Sequence, residues 1–321
     1  MNKKVILITG SNGEIGKSLI HKLSKNNTII ALDLYHNSKS NVEKIEGSIL
    51  DNTILNKINN KYKLSEIYHL AAILSTKAQK NPSLANKVNY NGTINLLELA
   101  KLQSTKYRSP IKFFFPSSIA VYNMLNKSSN NYINEKYATK SPITEYGKAK
   151  LKCEKIAIKK YLKNGVDFRC IRFPGIISAN SKPTGGTSDY APEMIHAAFL
   201  NKSYNCFVNN KTILPFITMP DAIQAIIKLM NTSQENIKSK IYNVTSFSPS
   251  VSELENKIKE YFPKFKLSYD IDNNRQKIVD SWPNFINDSL AKEEWNWSSD
   301  LTFDNFFTDY INPNLKEYYK I

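Results

Sequence analysis

The sequence predicts an α/β fold with a doubly wound parallel sheet, followed by a smaller C-terminal lobe. Runs of β-branched and aliphatic residues alternate with helical patterns of ten or more residues as far as Phe173. The first run also leads directly into a glycine-rich turn that opens a helix. Parallel strands need crossover connections of this length, so the alternation indicates a Rossmann-type domain.

The elements of the first half follow from their residue patterns. Strands are predicted where apolar residues run without a break, because a parallel sheet is buried on both faces. Helices are predicted where apolar residues recur every three or four positions. The predicted strands are 5–9, 29–32, 67–70, 112–115 and 167–173, and the predicted helices are 15–23, 49–58, 85–101 and 146–163.

The alternation loosens after Pro174. Residues 178–192 are rich in Ser, Gly and Pro and are predicted to form a loop. We expect residues 1–175 to form the Rossmann-type domain, with 213–245 returning to it, and 176–321 to form mainly the smaller lobe. Within this half the predicted strands are 213–219 and 241–244, the predicted helices are 221–230 and 251–261, and a tail with Trp282, Trp295 and Trp297 follows.

Composition excludes several classes of protein. The chain has 321 residues and a net charge of +16, which comes from 40 Lys and 4 Arg scattered along it. A nucleic-acid interface usually concentrates basic residues with Arg and aromatics, so the scatter indicates a solvated surface and no nucleic-acid partner. Three cysteines without metal-ligand spacing indicate a reducing compartment and no metal. With no leader and no membrane-length apolar run, we expect a cytoplasmic protein without a membrane partner.

The first turn has the glycine spacing of a dinucleotide-binding loop. Gly10, Gly13 and Gly16 follow a strand and open a helix, whose N-terminal N–H groups favour phosphates. Asp33 ends the second strand, where its carboxylate can accept hydrogen bonds from ribose hydroxyls and repel a 2′-phosphate. The sequence therefore predicts NAD as the cofactor in preference to NADP. A purely structural glycine turn, with Asp33 as a turn residue, is the alternative.

Two further segments lie at the predicted carboxyl edge of the sheet. Ser48 and Ile49 stand where the third strand should end and could border the adenine. Leu70, Ala71 and Ala72 follow the fourth strand at the edge where such folds bind ligands. His69, which precedes these apolar residues, is predicted to be packed in the core, not to act in catalysis.

A serine pair and a Tyr-x-x-x-Lys motif follow in the order that proton transfer beside a bound cofactor requires. Ser117 and Ser118 end the fifth predicted strand, and Tyr146 and Lys150 share one face of the next helix. The free phenol has a pKa near 10, and we expect the Lys150 cation to lower it. A lone motif of this kind usually marks only an amphipathic face; the order of turn, serine and Tyr–Lys pair makes the set specific.

These residues resemble the extended short-chain dehydrogenase/reductase superfamily, which includes nucleotide-sugar epimerases, dehydratases and dehydrogenases. The second half narrows the resemblance to the family of short-chain L-threonine 3-dehydrogenases, almost from end to end. The first-half motifs are the glycine turn, 69–72, 88–93, Ser117–Ser118 and Tyr146-x-x-x-Lys150. The second-half motifs are 167–178, 185–191, 214–222 and 280–283.

This resemblance implies an NAD-dependent oxidoreductase that oxidises the Cβ hydroxyl of L-threonine to 2-amino-3-oxobutyrate, in threonine catabolism to glycine or aminoacetone. Ser118 would carry the catalytic hydroxyl, Tyr146 would be the base and Lys150 would tune it, while Ser117 could share the role of its neighbour. The residues implied at the substrate are Ser75, Ser118, Tyr146, Gly186 and Thr187. The residues expected at the cofactor are Gly10, Ser11, Asn12, Gly13, Glu14, Ile15, Gly16, Asp33, Ser48, Ile49, Leu70, Ala71, Ala72, Asn89, Tyr146, Lys150 and Ile176.

The resemblance also implies partners, and two alternative functions are weighed against it. Family members commonly pair helices such as 92–101 and 146–163, which implies a homodimer, and a 2-amino-3-oxobutyrate CoA ligase could take up the product. Thr184 and Ser188 depart from the family pattern in the loop. A nucleotide-sugar epimerase or dehydratase should offer Arg or Lys from the smaller lobe to a second diphosphate, and the only Arg after Arg172 is Arg275, which weakens this alternative. A non-enzymatic cofactor sensor would be expected to lose Tyr146 or Lys150, and both are present.

Overall fold

The strands that the structure describes are three to eight residues long. The computed structural model describes residues 3–37, 40–124, 132–136 and 140–320. Residues 1–2 and 321, at the outer ends of the two predicted domain ranges, lie outside the described residues. The strands are β1 (Val5–Thr9), β2 (Thr28–Asp33), β3 (Glu43–Glu46), β4 (Glu66–His69), β5 (Ile111–Ser118), β6 (Val166–Phe173), β7 (Gly175–Ile177), β8 (Tyr204–Cys206), β9 (Phe216–Thr218), β10 (Ile241–Asn243) and β11 (Leu267–Tyr269).

The helices fill most of the connections between these strands. Single π-helical turns, Lys87–Asn91 and Ala157–Tyr161, precede or extend the two longest helical segments of the first half. The α-helices are α1 (Glu14–Leu23), α2 (Asn52–Lys61), α3 (Ser75–Lys80), α4 (Pro82–Asn86), α5 (Gly92–Tyr107), α6 (Glu145–Ile156), α7 (Tyr190–Phe199), α8 (Met219–Asn231), α9 (Val251–Tyr261), α10 (Asn273–Asp280), α11 (Ser289–Trp295) and α12 (Asn312–Tyr319).

The central sheet has the strand order β10-β6-β5-β4-β1-β2-β3. In the β1 pairings, which are parallel, Thr9 lies opposite Leu32 of β2 and opposite His69 of β4. The chain moves outward from β1 to β3 and then returns to the other side of β1 at β4. This reversal creates the crevice at the carboxyl edge where doubly wound sheets bind ligands. The predicted Rossmann-type parallel sheet is therefore confirmed.

Apolar side chains from both faces of the sheet form the core beneath that edge. Leu7, Ile30, Ile67, Phe113 and Phe168 are fully buried members of one hydrophobic cluster. Burying side chains of this size stabilises a fold by about 1.5–3 kcal/mol each before entropy is counted. The continuous burial of β6 agrees with the unbroken apolar runs from which the strands were predicted.

The chain forms two compact units with boundaries that differ from the predicted ranges. Residues 119–144 belong to the second unit, and of the predicted returning segment 213–245 only 226–242 belongs to the first. The reason is local: β10 extends the central sheet, where Cys170 N donates to Lys240 O at 2.9 Å. Unit 1 comprises Met1–Ser118, Glu145–Arg172 and Ile226–Tyr242, and unit 2 comprises Ile119–Thr144, Phe173–Ala225 and Asn243–Ile321.

Two small parallel sheets organise unit 2. In one, β7 pairs with β9 so that Ile176 lies opposite Ile217. In the other, β11 pairs with β8. The predicted loop 178–192 ends earlier than expected, because α7 begins at Tyr190. Among the described residues, no helix combines the length and the apolar character needed to cross a membrane.

Two element boundaries differ from the sequence prediction for local reasons. The helix predicted over 49–58 begins at Asn52, because the Asp51 carboxylate accepts hydrogen bonds from Thr53 N and Ile54 N and so caps it. The strand predicted over 213–219 is confined to Phe216–Thr218. Its preceding residue, Pro215, has no N–H to donate to a ladder.

Candidate active site

The glycine turn after β1 is closed by backbone contacts that leave no room for side chains. Gly10 has a φ of 66°, and a Cβ at this position would lie 2.6 Å from Ala71 N. A Cβ on Gly16 would lie 2.6 Å from Gly10 O. The turn therefore packs against the loop after β4 and against its own helix, as the glycine spacing predicts. Gly13 immediately precedes α1, whose first turn has no side-chain cap.

Asp33 lies at the end of β2, beside the glycine turn. Its Oδ2 accepts a hydrogen bond from Asn12 N at 2.8 Å, and its Oδ1 accepts one from Leu34 N at 2.7 Å. Each carboxylate oxygen keeps a second lone-pair direction, and the residue is only half-buried. The side chain is thus held in place while still able to accept from a ligand hydroxyl.

The turn also contains a polar atom that the fold itself does not satisfy. Ser11 Oγ is buried and has no hydrogen-bond partner among the described residues. Buried hydroxyls are normally paired, and an unpaired one calls for a ligand or water. Together with the uncapped first turn of α1 and the closely packed glycines, this hydroxyl fits a dinucleotide pyrophosphate at the turn.

The residues predicted near the adenine and along the β4 edge lie in unit 1. Ser48 follows β3 and its Oγ accepts from Leu50 N at 3.1 Å, while Ile49 is buried and its carbonyl accepts from Asn95 Nδ2 at 3.2 Å. Leu70 N donates to Thr9 O at 3.0 Å, which places the start of the Leu70–Ala72 loop beside β1. Ala71 and Ala72 are half-buried in that loop.

His69 is part of the core, as the sequence predicts. Its Nδ1 lies 2.9 Å from Thr9 Oγ1 and its Nε2 lies 2.9 Å from Thr93 Oγ1. Burial lowers the pKa of the imidazole to about 3, so the ring is neutral at physiological pH. With both nitrogens engaged, His69 ties β1, β4 and α5 together beneath the site.

Asn89 has a positioning role that the sequence did not reveal. Its Oδ1 accepts from Ile73 N at 2.7 Å and its Nδ2 donates to Ile73 O at 2.9 Å. The side-chain amide thus mimics a strand partner and holds the loop that follows β4. Because Asn89 is buried and its amide is fully directed at Ile73, its effect on a nucleotide would pass through that loop.

One face of α6 carries Tyr146, Lys150 and Glu154 at intervals of four residues. Lys150 is buried, and its Nζ donates to Pro116 O at 2.6 Å and lies 4.5 Å from the centroid of the Phe115 ring. The same Nζ lies 5.5 Å from the centroid of the Tyr146 ring. The predicted Tyr–Lys pair is therefore adjacent, and Lys150 is held against the end of β5.

The pKa values of this pair differ from the sequence expectation. Burial raises the pKa of the Tyr146 phenol to about 12, and the Lys150 cation does not lower it. Burial also lowers the pKa of Lys150 to about 8. The reason is that desolvation disfavours the charged form of each group, and Lys150 directs its proton to a backbone carbonyl.

Ser117 and Ser118 have different environments although they are neighbours. Ser117 is buried, and its Oγ donates to Glu154 Oε1 at 2.6 Å. The same carboxylate accepts from Arg172 Nε at 2.9 Å and from Arg172 Nη2 at 2.6 Å. Ser117 is therefore committed to a buried network that joins β5, α6 and β6, whereas Ser118 is half-buried on the opposite face of the strand.

Sequence reasoning missed Glu154 as part of this arrangement. Its spacing was a usable signal, because it stands four residues after Lys150 and eight after Tyr146, on the same helical face. Ser75, predicted at the substrate, is the first residue of α3 and is half-buried. All of these residues belong to unit 1.

The remaining predicted residues belong to unit 2. Ile176 lies in β7 and is half-buried. Thr187 is buried, and Gly186 N donates to Asp189 Oδ2 at 2.7 Å. The N–H of Gly186 is thus engaged within the segment, because the Asp189 carboxylate folds back over the turn.

Comparison with known proteins agrees with this geometry. The model of the NAD dependent epimerase/dehydratase family matches residues 6–245. The chain belongs to that family. A mitochondrial L-threonine 3-dehydrogenase of Sus scrofa is 32% identical over 317 residues, covering 97% of this chain and 83% of the relative. An uncharacterized epimerase/dehydratase of Staphylococcus epidermidis is 36% identical over 300 residues, covering 91% of this chain and 92% of the relative.

Among solved structures, a monomeric L-threonine 3-dehydrogenase from a metagenome has a TM-score of 0.88 and 37% identity, with 98% of this chain and 99% of that chain covered. The L-threonine dehydrogenase of Clostridium difficile has a TM-score of 0.88 and 34% identity, with 99% of each chain covered. The predicted resemblance to short-chain threonine dehydrogenases is thereby confirmed. For this member of the epimerase/dehydratase family, an NAD-dependent oxidoreductase is the enzyme class that these relatives support.

Proposed function

We propose that the chain is an NAD-dependent L-threonine 3-dehydrogenase. In this reaction the Cβ hydroxyl of L-threonine loses its proton, and Cβ loses a hydrogen with two electrons, which gives 2-amino-3-oxobutyrate. The observation that carries the proposal is the Tyr146–Lys150 pair on α6 beside the end of β5, in a chain similar over almost its whole length to named threonine dehydrogenases.

Ser118 is the hydroxyl that we assign to the substrate. Ser117 Oγ already donates to Glu154, so a catalytic role would leave a buried carboxylate without one of its donors. Ser118 lies on the other face of β5 and is more exposed. It would donate a hydrogen bond to the substrate oxygen while Tyr146 Oη removes the proton from it.

Tyr146 and Lys150 would act as a pair in this proton transfer. Tyr146 holds its proton tightly because burial raises its pKa to about 12. Lys150, with a pKa near 8, holds a proton less tightly than an ordinary lysine. Tyr146 can accept the substrate proton only after its own phenolic proton has left, and a neutral Lys150 amine would be the acceptor for that phenolic proton. We therefore expect turnover to rise as the pH rises from neutrality and Lys150 loses its proton.

The glycine turn and the carboxyl edge of unit 1 would hold NAD. Gly10–Gly16 would contact the pyrophosphate, and Asp33 would contact the ribose of the adenosine. Ser48 and Ile49 would border the adenine. The Leu70–Ala72 loop would contact the rest of the NAD molecule. When bound, NAD would supply the acceptor for the two electrons and hydrogen removed from Cβ. Ser75, Gly186 and Thr187 remain our proposed substrate residues, with Ile176 proposed at the nicotinamide.

A nucleotide-sugar epimerase or dehydratase is the second candidate, because members of the same family carry those names. It would need basic side chains for a second diphosphate. The guanidinium of Arg172 is committed to Glu154, and that of Arg275 is stacked on Phe207. Neither is available as a phosphate donor in its present contacts, which favours the amino-acid substrate.

The direct experiment follows NADH absorbance with L-threonine, L-serine and UDP-glucose as parallel substrates. We expect turnover with L-threonine and much less with L-serine, whose hydroxyl is primary. Absence of a threonine-dependent signal would contradict the proposal. Consumption of UDP-glucose would contradict it too, and it is followed by chromatography because epimerisation produces no net NADH. Replacing NAD with NADP tests Asp33, which should make NADP the poorer cofactor.

The matched variant for the chemical step is Tyr146→Phe, which keeps the ring and removes only the phenolic oxygen. We expect its kcat to fall at least about a hundredfold, the usual contribution of general acid–base catalysis. Binding of NAD, followed by calorimetry, should stay near the wild-type value. A variant as active as the wild type would refute the assigned base.

The partner predictions remain predictions. A homodimer through α5 and α6 would use the outward face of α6, where Lys148, Lys152 and Lys155 are all exposed. A two-fold contact there would oppose like charges, which bears against a stable dimer at low salt. The link to a 2-amino-3-oxobutyrate CoA ligase and the cytoplasmic location also remain predictions.

A further inference from the structure

The peptide groups around Gly186 are held from both sides, in the segment 184–189 that we name the substrate loop. Gly186 N and Thr184 N both donate to Asp189 Oδ2, at 2.7 Å and 3.0 Å. On the other side, Gly186 O accepts from Arg275 Nη2 at 2.5 Å and from Asp189 N at 3.2 Å. A Cβ on Gly186 would lie 2.6 Å from Asp189 Oδ1, so a side chain here would displace the Asp189 carboxylate.

Arg275 reaches this loop from α10, which is distant in sequence. Its Cζ lies 3.1 Å from the centroid of the Phe207 ring, which fixes the plane of the guanidinium. Its backbone is fixed as well, because Arg275 N donates to Asp272 Oδ1 at 3.1 Å and Asp272 N donates to Phe207 O at 3.0 Å. The side chain is therefore oriented before it meets the loop.

The guanidinium has few other polar contacts. Its Nε is buried and has no hydrogen-bond partner among the described residues. Glu193 lies close enough for its charge to interact with Arg275. The bond to Gly186 O is thus the main directional contact of Arg275, made by a cation to a carbonyl, which is the stronger kind of hydrogen bond.

We infer that Arg275 is a positioning residue for the substrate loop and sets the affinity for the amino-acid substrate. This rests on the proposed function, in which Gly186 and Thr187 contact L-threonine. The bond to Gly186 O and the Asp189 carboxylate together fix the peptide that leads into Thr187. Arg275 acts through this peptide and does not touch the reacting atoms.

The test compares Arg275→Met, which keeps the length and apolar packing, with Arg275→Lys, which keeps a cation without the planar fork. The matched control is Lys277→Met, an exposed residue on the same helix. Loss of one charge-assisted bond should raise the KM for L-threonine about tenfold in Arg275→Met, with kcat within about twofold and the KM for NAD unchanged. Arg275→Lys should lie between this variant and the wild type, and Lys277→Met should match the wild type.

Hydrogen exchange supplies a readout that does not depend on the substrate. In Arg275→Met the amides of the substrate loop should exchange at least about tenfold faster, while those of β6 keep the wild-type rate. Unchanged exchange in the loop together with an unchanged KM would overturn the inference. If the wild type fails to oxidise L-threonine, the proposed function falls, and the exchange measurement still decides whether Arg275 holds the loop.

Discussion

Glu154→Gln is the most informative single substitution in unit 1, because it changes a buried charge and almost no volume. Glu154 and Arg172 are buried and paired by two charge-assisted hydrogen bonds of 2.9 Å and 2.6 Å. The amide of glutamine can still accept from Ser117 Oγ. It carries no negative charge to set against the buried guanidinium of Arg172.

The expected loss follows from that uncompensated charge. Breaking a buried ion pair by removing one partner typically costs about 3–5 kcal/mol. Since both groups are buried, solvent screening offers little relief, and we expect Glu154→Gln to lose stability in this range. The control is Glu145→Gln on the same helix, whose exposed pair with Lys148 at 2.8 Å should contribute less than about 1 kcal/mol.

Urea denaturation followed by circular dichroism measures both variants, with Arg172→Met and the double variant completing a cycle. We expect the double variant Glu154→Gln/Arg172→Met to be more stable than the sum of the single losses predicts, by at least about 2 kcal/mol. A loss below about 1 kcal/mol in Glu154→Gln, or additive losses in the double variant, would refute the reasoning. Either result would mean that the pair is not a coupled buried unit.

Three other substitutions test separate features. Gly10→Ala places a methyl group against Ala71 at a φ of 66°, so we expect a lower Tm and at least about tenfold weaker NAD binding by calorimetry; unchanged binding would contradict the close packing. Lys150→Met should abolish turnover yet be more stable in urea at pH 7, by up to about 3 kcal/mol, because it no longer buries a cation whose pKa is lowered to about 8. The folded wild type releases the Lys150 proton at a lower pH than the unfolded chain does. The stability difference between Lys150→Met and the wild type should therefore shrink as the pH rises from 8 to 10.5. A stability difference independent of pH would contradict the buried cation as its cause. Lys152→Glu reduces the positive charge on the outward face of α6, so any dimer seen by light scattering should strengthen at low salt, and a wild-type dimer indifferent to both salt and this change would contradict the charge argument.

The sequence was most informative for functional features that depend on residues close to one another in the chain. The glycine turn, Asp33 and the Tyr146–Lys150 pair are each defined by spacing within one strand–turn–helix or one helix. Local geometry decides such features, so their placement could be predicted before any tertiary contact was known. The family resemblance already favoured Ser118 over Ser117, and the structure adds a physical reason for that preference: Ser117 Oγ is bonded to Glu154, whereas Ser118 lies on the other face of β5.

Features that depend on distant contacts were not predictable. Asn89 was expected at the cofactor, but its amide pairs with Ile73, sixteen residues away. The pKa of Tyr146 was expected to fall, and burial raises it, since desolvation depends on the surrounding fold and not on the neighbouring lysine alone. The contact between Arg275 and Gly186 joins residues 89 positions apart, which no periodicity in either segment indicates.

The single face of α6 that carries Tyr146, Lys150 and Glu154 has a consequence for how this protein can change over evolution. One residue inserted between positions 146 and 150 would rotate the following side chains by about 100° around the helix axis. Such an insertion would move Glu154 away from Arg172 and would separate Tyr146 from Lys150 at the same time. Substitutions on the outer, lysine-bearing face disturb neither. Relatives should therefore differ freely in the charge of this helix while its length stays constant. The spacing of Tyr146, Lys150 and Glu154 should be retained together with the activity.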